Sequence, residues 1–143
     1  MIAWVPPVYP WPIGPGPRYR PPAANVAVHV ELFADQRVVV VPRRIGVARS
    51  GCRYPLSTSV PTGVVDGAVG RRYTLGDLFT VWGRALSESR LVSFRGHVRV
   101  YVAGRRVTGD PRTVQLTRHA QIVIELGRYV PPHVSYVFPK GAG

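Results

Sequence analysis

The chain has 143 residues, 45% of them hydrophobic, and a formal net charge of +12. That length suits one domain with a modest core. The hydrophobic share excludes a disordered chain, and no stretch approaches the ~20 apolar residues of a membrane helix. Cys52 stands alone, which excludes an internal disulfide and a four-cysteine zinc site and leaves a buried, inert thiol as its expected state.

Lys140 is the only lysine among nineteen Lys and Arg side chains. Two origins of this arginine excess stand side by side. A protein selected for phosphate contact ordinarily mixes both residue types, since lysine serves well as a point charge. Arginine together with abundant Ala, Gly, Pro and Val is also what a GC-rich genome encodes.

Residues 1–23 form a compositional segment of their own. Eight prolines, from Pro6 to Pro22, exclude helix and favour an extended polyproline-II arm. Trp4, Tyr9, Trp11 and Tyr19 interleave with them, and proline–aromatic runs of this kind dock on protein partners. The arm lacks the basic start and uninterrupted apolar stretch of a signal peptide. The expectation is therefore cytoplasmic by default, or extracytoplasmic if translation starts further upstream.

The domain is expected over 24–143. Val26, Val28, Val30 and Leu32 alternate with Ala27, His29, Glu31 and Phe33, the period of a half-buried strand. The turn Ala34–Arg37 and the run Val38–Val41 complete a hairpin. Residues 43–72, rich in turn formers, are expected to hold short strands around Arg53–Leu56 and Gly63–Asp66. One helix follows, capped by Thr74 with Asp77 in its first turn; Leu75, Leu78, Phe79 and Trp82 share a face, and Gly83 ends it. Val98–Val102 and Gln121–Leu126 read as strands, with turns at Ala103-Gly104 and Gly109–Pro111. From Val130 to Pro139 the tail is extended, and Tyr136 with Phe138 are its candidate anchors. The order hairpin, irregular segment, helix, strand, turn, strand predicts an α+β, mostly β domain: a β-grasp-like mixed sheet around one main helix, preceded by the proline-rich arm. Fold of this kind does not fix function.

Several segments together resemble a bacterial family of small β-rich proteins without an assigned activity, whose members are often extracytoplasmic. The matching pieces include Val28–Phe33, Val41-Pro42 with Ile45–Val47, Cys52–Leu56, Thr74–Phe79 with Trp82-Gly83, Thr108–Arg112 and Leu116–Ile122. Together they span most of 26–139. The family's helix reads TLG-x-FF-x-x-WG, and its most distinctive motif reads LHTHD followed by G-[IV]-[IV]-H-x-E. The resemblance implies a histidine cluster able to hold zinc or copper in relatives. Here Ser57 and Ser59 stand at the paired histidines, Val60 follows them, Asp66 stands at the third histidine and Ala68 at the acid. Neutral hydroxyls are poor transition-metal ligands, so the cluster is expected to be degenerate, with no cofactor.

Three readings of function remain open. The first is a non-enzymatic binding or accessory module, a subunit of a larger assembly, with Trp4, Tyr9, Trp11 and Tyr19 touching the protein partner. The second is a weakened metal-binding protein using His29, Asp66 and His119. The third is binding of nucleic acid, or of another anionic surface, through Arg43, Arg44, Arg71, Arg72, Arg99, Arg105 and Arg106, with Tyr101 beside Arg99 able to stack bases. His97 and His133 read as solvated or packed. No nucleophile elbow surrounds Cys52, Ser57 or Ser59, the seven acidic residues offer no clear carboxylate pair, and no glycine run forms a phosphate loop. No catalytic residue is assigned.

Overall fold

Two-residue turns with positive φ set the hairpins of this molecule. In the computed structural model, which describes residues 25–49, 53–68 and 72–143, β1 (Asn25–Ala34) turns at Asp35 and Gln36 into β2 (Arg37–Val39). Both turn residues have positive φ, 47° and 67°, and such turns match the twist of the strands they join. Ala103 and Gly104, at 52° and 78°, do the same between β7 (Val98–Val102) and β8 (Arg105–Val107). The remaining strands are β3 (Leu56–Ser57), β4 (Val64–Ala68), the ribbon β5 (Arg90–Leu91) with β6 (Phe94–Arg95), and β9 (Gln121–Leu126).

The main sheet runs β3-β4-β1-β9-β7-β8, with β2 also paired to β1. Its central strands, β1 and β9, are parallel, while β4 on β1, β3 on β4, β7 on β9 and β8 on β7 are antiparallel. A helix, α1 (Leu75–Trp82), lies between β4 and β7 in the chain. First and last strands parallel at the centre, with a helix on one face, give the β-grasp-like mixed sheet of an α+β, mostly β protein. The arm lies outside the described residues.

Helix α1 starts where the sequence places it. Thr74 accepts from the Asp77 amide and Asp77 returns a bond to the Thr74 amide, a complete capping box. Gly83 closes it at φ 78°. Leu75, Leu78 and Phe79 are fully buried against Val28, Val30, Leu32, Ile122 and Ile124, each burial being worth about 1.5–3 kcal/mol. Trp82 is half-buried and touches the core through Phe79, the ring centroids 5.3 Å apart. Arg112, in the 3-10 turn Pro111–Thr113, clamps the helix by donating to the Gly76 carbonyl at 2.9 Å and the Thr80 hydroxyl at 2.7 Å.

Three local expectations shift. The short strands come later than expected, at β3 and β4, because Pro55 lacks an amide for pairing and Gly63 turns the chain at φ 82°. Arg53 itself makes a single bridge to Val47. Strands β5, β6 and β8 were not expected, since turns and exposed edges rather than alternation define them.

Strand β1 is also buried on both faces, not one: Ala27, His29 and Phe33 are as covered as Val28 and Val30. What covers the second face positions the candidate site. Among the described residues no helix is long and apolar enough to cross a membrane.

Candidate functional site under the C-terminal strap

Pairing register decides which side chains meet on the face away from α1. His29 lies beside Gln121, Glu31 beside Val123 and Phe33 beside Glu125 along β1 and β9; Val123 and Glu125 then meet Tyr101 and Arg99 on β7. Ala27 faces Asp66, which faces Ser57.

Residues 128–143 run across this face as a strap. The Val130 amide donates to Glu125 Oε1 at 3.0 Å, and Val130 packs on Phe33, Tyr101 and Val123. Tyr129 meets Tyr101 edge-on. The His133 Nδ1 lies 3.0 Å from both Glu31 oxygens. Tyr136 stacks on His29, with centroids 3.5 Å and planes 11° apart, and Phe138 stacks on His119 at 4.5 Å. The Ala27 amide finally donates to the Gly143 carbonyl at 3.2 Å.

Beneath the strap runs a connected polar row. His29 Nε2 lies 2.8 Å from the Thr62 carbonyl oxygen and Nδ1 2.6 Å from Gln121 Oε1, while Gln121 Nε2 donates to Glu31 Oε1. Glu31 Oε1, 3.7 Å from Nδ1, is the neighbouring charge. With both nitrogens within hydrogen-bond distance of protein oxygens and 5% exposure, His29 holds structure together and does not face an open site.

Glu125 is fully buried and pairs with Arg99 at 3.4 Å, yet its Oε2 has no hydrogen-bond partner. This pairing overturns the expectation of Arg99 and Tyr101 as a surface for stacking bases. They share a face, but the strap covers it, and Arg99 is engaged by Glu125.

Ser57, Ser59 and Asp66 come together around one guanidinium. Ser57 and Asp66 are cross-strand partners, and the Arg53 guanidinium reaches Ser57 Oγ at 3.5 Å and Ser59 Oγ at 3.1 Å. Burial raises the Asp66 carboxyl above the ordinary aspartate range, and the positive charge of Arg53 pulls it partly back. A resident cation thus sits among these oxygens. Among the described residues no three His, Cys, Asp or Glu side chains gather to hold a metal ion, so His29, Asp66 and His119 do not form one site. No serine hydroxyl there is hydrogen-bonded to a histidine.

His119 instead lines an open groove of about 560 Å³ between the strap and the β7–β8 turn, with Val102, Val134, Ser135, Tyr136 and Phe138. Its backbone is held at φ 57° by the amide bond from His119 to the Ala27 carbonyl.

Of the remaining candidates, Arg43, Arg44, Arg72, Arg105 and Arg106 are exposed. Arg106 Nη2 lies 3.4 Å from His97 Nε2. Trp4, Tyr9, Trp11, Tyr19, Arg71 and Cys52 lie outside the described residues. Sequence reasoning missed Gln121, Glu31 and His133 as a set connected to His29, and Arg53 as the partner of Ser57 and Ser59. Only the tail aromatics signalled a covering segment. Comparison with protein-family models, with curated proteins and with solved structures gives no match.

Proposed function

We propose that this chain is a non-catalytic binding module that recognises an anionic partner surface and serves as an accessory subunit of a larger assembly. The observation that carries this reading is where the negative charges are spent. Six of the seven acidic residues are engaged: Glu31 serves Gln121 and His133, Asp35 the Arg128 amide, Asp77 caps α1 and Asp110 the 3-10 turn, Asp66 faces Arg53, and Glu125 holds Arg99, while Glu88 is exposed. Arg99–Glu125 is the one Arg–carboxylate bridge among the described residues. The exposed arginines are left without counter-charges, and an uncompensated basic surface steers acidic partners to itself.

An acidic protein surface fits better than base-specific nucleic-acid binding, because the covered Tyr101 offers no stacking platform. The resemblance in the sequence fits the same reading: where it implies imidazoles, serine hydroxyls stand and the Arg53 guanidinium reaches them. The proline–aromatic arm would add contacts of its own.

The test compares retention on a sulfated polyanion with retention on a carboxylate exchanger of equal charge density. It then compares pull-downs from the native host using wild type, Arg43→Glu with Arg44→Glu, and Trp4→Ala with Trp11→Ala. Partners lost on charge reversal support the reading. Weak retention on both columns and unchanged partner profiles would overturn it.

A further inference from the structure

Among the described residues, the outer edge of β2 in the β1–β2 hairpin is unpaired. With Ala34 opposite Arg37 across a two-residue turn, these two form the hydrogen-bonded pair, as do Leu32 and Val39. Arg37 and Val39 therefore direct their backbone groups at β1. Val38, and Val40 beyond it, direct theirs outward, and β1 is the sole strand that β2 pairs with. Neither outward backbone has a partner in another element among the described residues.

Exposed edges are usually blunted by charge, bulges or proline. This one is apolar. Val38 is 70% exposed and Val40 59%. A notch of about 170 Å³ opens beside it, between Val38–Val41 and Pro61–Gly63, where β1 passes from its β4 partner to its β2 partner. The notch is large enough for one aliphatic side chain. Exposed Arg37 stands at one end of the valine run and exposed Arg43 and Arg44 at the other, none with an ion-pair partner among the described residues.

We propose that the outer edge of β2 is a strand-addition site for an extended segment of a partner protein, with apolar residues at alternate positions and Asp or Glu at its ends. The edge supplies main-chain hydrogen bonds, the notch takes one apolar side chain, and the flanking arginines select acidic ends. A second copy of this chain is the poorer occupant, because it would set Arg37, Arg43 and Arg44 against like charges. The inference rests on the anionic-partner reading above and specifies where it is enacted.

The experiment uses the full chain and the labelled peptide Asp-Asp-Val-Thr-Ile-Thr-Val-Glu-Glu, read by fluorescence anisotropy and by NMR-detected amide exchange. Binding should slow exchange at the Val38 and Val40 amides. A peptide with Lys at its ends should bind about tenfold more weakly or worse. Val38→Pro removes only an outward amide, which an edge tolerates; it should weaken binding while the thermal midpoint stays near wild type. Arg43→Glu with Arg44→Glu, which leaves the edge intact, should weaken it too. Protection at β8 instead, or self-association of the free chain through Val38 and Val40, overturns the proposal. Polyanion retention without protection of these amides sinks the edge and spares the anionic-partner reading; protection without retention does the reverse.

Discussion

Tyr136 lies flat on His29, 107 residues away in the chain, at a centroid separation of 3.5 Å. This stack pins the strap over the polar row and converts a two-faced sheet into one buried on both sides. Removing the ring in Tyr136→Ala should cost about 1–3 kcal/mol in a denaturant titration. Amide exchange should rise first around 128–143. Tyr136→Phe keeps the stack and should stay within about 0.5 kcal/mol of wild type. Equal losses in both variants would mean that the hydroxyl, not the ring, holds the strap.

Gln121 links His29 to Glu31 and is 3% exposed. In Gln121→Leu, His29 Nδ1 loses its side-chain partner and Glu31 one of its two. An unpaired buried polar group costs about 1–3 kcal/mol. A loss of that size is expected in the unfolding free energy, and a neutral result would show that water replaces the amide.

Arg99 and Glu125 test the cost of a buried ion pair. Arg99→Met alone strands a fully buried carboxylate and should cost roughly 3–5 kcal/mol. Arg99→Met with Glu125→Leu should recover most of that loss, since an apolar pair of similar size leaves no charge behind. Chemical denaturation of both variants checks this, and an additive loss would contradict it.

Asp66 should make the fold less stable as pH rises. Its carboxyl is raised in the folded state chiefly by burial, so folding favours the protonated form. The favourable contribution is complete below the unfolded value of 3.8 and is lost as pH climbs through the raised folded value. Asp66→Asn should therefore be more stable than wild type at neutral pH, with the difference closing below about pH 4. Arg53→Met, which removes the compensating charge, should widen the neutral-pH gap.

Gly76 reverses a helix rule. A glycine to alanine change inside a helix ordinarily gains up to about 1 kcal/mol. Here a β-carbon would lie 2.9 Å from Arg112 Cβ and 3.0 Å from its carbonyl oxygen. Gly76→Ala should instead lose about 1–3 kcal/mol, seen as a lower thermal midpoint.

Much of the architecture was readable from local chemistry. The Thr74–Asp77 capping box, Gly83, and the alternation of Val28, Val30, Ile122 and Ile124 each follow from bonds or periods a few residues long, and these placed α1, β1 and β9. Strand β8 was not readable, because Arg105, Arg106 and Val107 are all exposed and a turn rather than a pattern makes them a strand. Glu125 looked like a solvent-side residue of an alternating strand and is fully buried, since the covering strap belongs to another part of the chain.

Only the resemblance linked Ser57, Ser59 and Asp66 in the sequence, nothing there linked them to Arg53, and His29, Gln121, Glu31 and His133 stand in it as unrelated polar residues. Backbone preference and hydrophobic period act over neighbours, so they reach the strands, the helix and its caps. Which polar atoms meet depends on strand register and on where a distant tail lands. Those are contacts between segments up to a hundred residues apart, and packing alone decided them.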